Sequence, residues 1–200
     1  MKTLLTAASL LRRGVAGAAA VMAYLAGWNY VACALFITFD ILARNFFGFS
    51  SRATVEITGY MLACGIAWGL AHTLAARAHI RVDVLVNRFP MPIRAPLHLF
   101  ALLLLAGFAA FIAWAAWSLF DESALFDAHD NSALRIPLVV PQGIWAVGIS
   151  AFLAMVSALL LESALALLSG EPGRLDALLS SRSVDDEAAE ALDAVRMARE

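Results

Sequence analysis

Charged residues divide the chain into four long stretches that contain none: 14–39, 57–76, 95–120 and 136–161, of 26, 20, 26 and 26 residues. About 20 apolar residues in a helix cross the roughly 30 Å of hydrocarbon in a bilayer, so each stretch is long enough to span. The longer ones leave room for tilt. None alternates with period two, which leaves a β-barrel without support. The pattern predicts an all-α membrane protein with four transmembrane helices, over about 14–39, 55–76, 96–120 and 138–161. A basic, amphipathic lead-in over 1–13 is expected on the membrane face. A four-helix transmembrane domain fills 14–168, and a charged tail fills 169–200. The first stretch exceeds the roughly 7–15 apolar residues of a cleavable signal peptide, so it is expected to remain as a span.

The connections follow from turn residues. Asn45 to Ser51 is short and aromatic and closes a hairpin, with Phe46, Phe47 and Phe49 among lipid headgroups. Pro90, Pro92 and Pro96 are expected to break the chain before the third helix, and Pro137 and Pro141 to bracket the entry to the fourth. In the tail, Val184, Ala188, Ala191, Leu192 and Val195 recur at helical spacing, which suits a solvated amphipathic helix or a disordered segment.

Composition excludes ordinary soluble classes. The chain is 62 % apolar and 15 % charged, with a mean hydropathy of +0.79, against about 45–50 % and about 25 % in soluble domains. Cys33 and Cys64 both lie in apolar stretches and define neither a disulfide framework nor a metal site. Net charge is −2, and no basic patch suits nucleic acid. No nucleophile–base arrangement, phosphate-binding loop or metal-ligand spacing is present, so no enzyme and no cofactor are expected.

Charge also orients the chain. Lys2, Arg12, Arg13, Arg77, Arg81, Arg88, Arg94, Arg174 and Arg182 fall on one side, and only Arg44, Arg52 and Arg135 on the other. The positive-inside rule places the richer side, with both termini, in the cytoplasm. The loop carrying Asp121, Glu122, Asp127 and Asp130 then faces outward, either as a solvated surface or as a docking site for a soluble partner.

A few polar residues need a role. Asp40 and Arg44 stand four apart at the end of the first span, the favourable orientation for a helical ion pair. Glu56 opens the second span at a depth where a carboxylate is costly unless paired, with Arg52 and Arg44 as partners in reach. Gly59, Ala63, Ala67, Ala71 and Ala75 recur every four residues, a spacing that lets another helix approach closely. Four residues advance by about 400°, so the stripe drifts and suits a crossing helix. Arg77-Ala-His79-Ile-Arg81-Val-Asp83 leaves the second span; its arginines suit a membrane anchor that reaches lipid phosphates. His72 and His98 have matching depths, which leaves open a haem held between them. Glu162 is expected to pair with one of these histidines or with a partner chain.

Residues 56–90 read EITGYMLACGIAWGLAHTLAARAHIRVDVLVNRFP: a membrane glutamate, a small-residue helix, an arginine, then His-Ile-Arg-Val-Asp and a proline. With Asp40-Ile-Leu-Ala-Arg44 and the Arg-Ile-Pro…Pro-Gln-Gly-Ile-Trp run at 135–145, the chain resembles, over about residues 15–168, the small permease subunit of tripartite ATP-independent periplasmic (TRAP) transporters. The resemblance implies a bacterial inner-membrane subunit that braces a large permease subunit. The resemblance further implies that a periplasmic substrate-binding protein delivers an organic acid and that a sodium gradient drives its uptake. It also implies structural or subunit-contact roles for Asp40, Arg44, Glu56, Arg77, His79, Arg81 and Asp83. Two other classes stay open on the residues alone. One is a haem-bearing membrane anchor of a respiratory complex; the other is a self-sufficient four-helix carrier, against which the missing inverted repeat and broken helices argue.

Overall fold

The computed structural model of the protein describes residues 1–49, 53–78, 90–132 and 134–179, with positions 188, 192, 195 and 196 of the tail. Five helices are present among them: α1 (Lys2–Phe47), α2 (Thr54–Ala75), α3 (Met91–Leu125), α4 (Val139–Leu168) and the short α5 (Pro172–Leu179). The first four are long and apolar enough to cross a membrane, as the charge pattern predicts. Backbone N–H and C=O groups in hydrocarbon must be satisfied within the segment, and a helix achieves this locally.

Helix lengths exceed the uncharged stretches, because hydrocarbon thickness limits apolar length and not helix length. At 1.5 Å per residue, the 46 residues of α1 extend about 69 Å. The lead-in is therefore the first part of α1 and not a separate segment. Leu5 and Ala8 are buried there. Asp121 and Glu122, expected in a loop, belong to the last turns of α3. Only Pro90 precedes α3. Pro92 sits in its first turn, where the missing N–H would be unpaired anyway. Pro96 lies inside the helix and omits one internal hydrogen bond. Pro137 and Pro141 do bracket the entry to α4, Pro141 as its third residue.

The helices stop at left-handed residues. Gly48 (φ +64) ends α1, and Gly170 (φ +72) ends α4, where Glu171 N–H returns to the Ala166 carbonyl at 3.0 Å. Two other ends place non-glycine residues in this conformation. Arg77 (φ +56) follows α2 and Asp127 (φ +48) follows α3. The next residues close the same motif, Ala78 N–H on Thr73 O and Ala128 N–H on Ser123 O, both at 2.9 Å.

α4 is the hub: it packs against α1, α2 and α3, while α1 also lies along α2. α2 and α3 are kept apart by it. Lipid tails are as apolar as the helices, so association rests on close packing and hydrogen bonds between helices. Small residues provide the approach. A Cβ on Gly148 of α4 would stand 2.9 Å from the Ala67 carbonyl carbon of α2, and one on Gly65 would stand 2.8 Å from the Tyr30 ring of α1. Ala67 and Ala71 of the small-residue stripe are buried, whereas Gly59 and Ala63 are exposed, as its drift around the helix requires. The chain itself supplies the crossing partner. Side-chain hydrogen bonds cross between the helices along their length, among them Asn29 Nδ2 to Met61 O (2.7 Å), Trp68 Nε1 to Ile144 O (2.8 Å) and Trp117 Nε1 to Ser150 Oγ (3.0 Å).

The start of the tail is not a free segment. α5 folds back on α3 and α4, with Leu175 and Leu179 buried in the same apolar core as Leu5, Leu74, Met155 and Leu159.

Gly148→Leu should force α2 and α4 apart and cost about 1–3 kcal/mol, read as a lowered unfolding midpoint in detergent. Gly107→Ala, where a Cβ meets nothing within 4 Å, should be neutral or stabilising.

Candidate functional site

Charge in this bundle is confined to its two ends, because no span has any in its middle. One end holds the α1–α2 hairpin and the α3–α4 loop; the other holds the start of α1, the end of α4 and α5.

At the hairpin end the α3–α4 loop is closed on itself. Asp130 N–H bonds Ile136 O at 3.0 Å and Leu138 N–H bonds Ala128 O at 2.9 Å, framing a bridge between His129 and Pro137. This fixes Asp130 against the first turns of α2. Tyr60 Oη donates to Asp130 Oδ2 at 2.6 Å, and the Asn131 N–H donates to Oδ1. The Tyr60 hydroxyl is the main reason that the Asp130 carboxyl is held below the usual carboxylate range. Glu56, Tyr60, Asp130 and Ser132, with Val55 and Gly59, line an open cavity of about 350 Å³. Both Glu56 carboxylate oxygens are enclosed, and neither has a partner in hydrogen-bonding geometry. The sequence reading placed Glu56 beside Arg44 and Arg52. Its described neighbours are instead Asp130 and Ser132 of a loop more than 70 residues away. Arg52 lies outside the described residues.

The Asp40–Arg44 pair forms as its spacing predicts, with Nη2 donating to Oδ2 at 3.0 Å. Its members differ sharply in exposure: Asp40 is buried among helices, and Arg44 reaches out of the bundle. Arg77 stands at the left-handed turn after α2. His79, Arg81 and Asp83 lie outside the described residues.

At the opposite end, sequence reasoning missed the main feature. Glu162, 1 % exposed, accepts Arg12 Nε on Oε2 at 2.7 Å and Arg174 Nη2 on Oε1 at 2.9 Å. Its partners here are these two arginines and not His72 or His98. Both arginines were counted only toward the orientation of the chain; the available signal was an acid at the end of a span with arginines flanking the first and last spans. His72 and His98 sit on α2 and α3, which α4 separates. No group of three or more metal-binding side chains occurs among the described residues.

This geometry pins helices at both ends and leaves their length uncharged. The family model for tripartite ATP-independent periplasmic transporters, DctQ component, matches residues 33–170. The chain belongs to this family. The protein is thus a small membrane subunit of a TRAP transporter, with several helices in the bilayer. No curated protein and no solved structure matches it. The matched segment of this DctQ subunit contains Asp40, Arg44, Glu56, Arg77 and Glu162, and leaves Arg12 and Arg174 outside.

A depressed carboxyl pKa stabilises the contact above the ordinary Asp pKa of about 3.9, and that stabilisation fades as pH falls through the lower folded value. Tyr60→Phe removes the main cause, so the Asp130 carboxyl should titrate at higher pH, nearer the ordinary value, in NMR of carboxyl-labelled protein.

Proposed function

We propose that this subunit braces a large permease subunit in the bacterial inner membrane, with both termini in the cytoplasm. The assembly takes up an organic acid presented by a periplasmic binding protein and is driven by a sodium gradient. Membership of the DctQ family carries this reading, since a tripartite transporter needs components besides its small subunit.

The physical features support a bracing role. The four spanning helices run without a break among the described residues, whereas carriers that form their own site use interrupted helices near mid-membrane. Acidic and basic groups needed to hold a carboxylate or sodium are absent from the middle of every span. α1 exposes Tyr24, Trp28, Leu35 and Phe39 along its length, which leaves a broad apolar face for lipid and for the partner subunit. Asp40, Arg44, Glu56, Arg77, His79, Arg81 and Asp83 maintain helix packing or the contact with that partner.

An affinity tag on this chain should recover the large permease subunit from detergent-solubilised membranes. Uptake in cells should require both membrane subunits, the binding protein and a sodium gradient. Recovery of this chain alone, with uptake unaffected by its deletion, contradicts the proposal.

A further inference from the structure

Glu162 is the most enclosed charged residue among the described ones, and its two oxygens are served by different arms of the chain. Arg12 comes from α1 and Arg174 from α5. Glu162 lies inside the family-matched segment, and both arginines lie outside it. The latch therefore ties the two flanking arms of the chain to the matched segment.

The two arms are mechanically unequal. Arg12 belongs to a continuous 46-residue helix that is packed on α2 and α4. Arg174 sits on an eight-residue helix joined to α4 by the turn at Gly170. Its side chain is 37 % exposed against 22 % for Arg12. It also faces Glu171 at 3.9 Å, a second carboxylate on its own arm.

A carboxylate enclosed by apolar groups needs a cation beside it, and losing the last one is severely destabilising. One guanidinium is enough to balance one carboxylate. With two present, either can leave without stranding Glu162. We propose that α5 is a releasable strap, latched on Glu162 by Arg174, and that Arg12 holds Glu162 whenever the strap lifts. Lifting uncovers Leu175, Leu179 and the faces of α3 and α4 beneath them, while the bundle stays closed.

The full-length chain carrying Leu175→Cys, in lipid nanodiscs, tests this by maleimide labelling at that position, read by peptide mass spectrometry. Leu179→Cys repeats the reading at a second buried site, in case one cysteine itself loosens α5. Arg174→Ala should speed labelling about tenfold, the effect of losing one hydrogen bond to a charged group, with little change in melting temperature. Arg12→Ala should slow labelling, because lifting the strap then strands Glu162. The double variant should melt far below either single one, and adding Glu162→Gln should restore it. Labelling unchanged by Arg174→Ala, or accelerated equally by Arg12→Ala, overturns the proposal. So does an Arg174→Ala variant that melts as low as the double one.

Discussion

The close approach of α2 and α4 at Ala67 and Gly148 is the contact on which the rest of the bundle depends. In lipid, burying one apolar surface against another gains little over burying it in acyl chains. Helices hold together where small residues let backbones come near and polar side chains can cross the gap. Gly148 permits this, and the Trp68 indole fixes it with a hydrogen bond to Ile144 O. With α2 seated on α4, the remaining order follows: α1 lies on both, and α3 takes the face of α4 left over.

Polar groups then serve the ends. Tyr60 and Asp130 tie the α3–α4 loop to α2, and Glu162 gathers α1 and α5. Between these ties lies an uncharged length of helix. A charged solute crossing there has nothing to replace its hydration, which is the ground for proposing that transport occurs on another component. The same features suit the bracing role proposed for the chain.

Much of this was legible in the chain's charge pattern. Four uncharged stretches specify four spans, because a charge in hydrocarbon is costly whatever the tertiary structure. The Asp40–Arg44 pair is local and appears in the spacing. The small-residue stripe on α2 announced a crossing helix without saying which. What remained hidden depends on distant parts of the chain meeting. Asp130 meets Tyr60 across 70 residues, and Arg12 meets Glu162 across 150. Turn signals misjudged Pro92 and Pro96, and the charge pattern misjudged Asp121 and Glu122. Helices tolerate proline near their start and charge at their ends, so an uncharged run marks where a helix crosses lipid and not where it stops. His79, Arg81 and Asp83, which carry the most specific part of the family resemblance, lie outside the described residues.

The central claim is that this bundle supports transport without providing a path. Purified chain alone, reconstituted in liposomes under an inward sodium gradient, tests it most directly. Accumulation of labelled organic acids and of sodium should not exceed that of protein-free vesicles, across a panel of such acids. Saturable, gradient-driven uptake by the chain alone would contradict it.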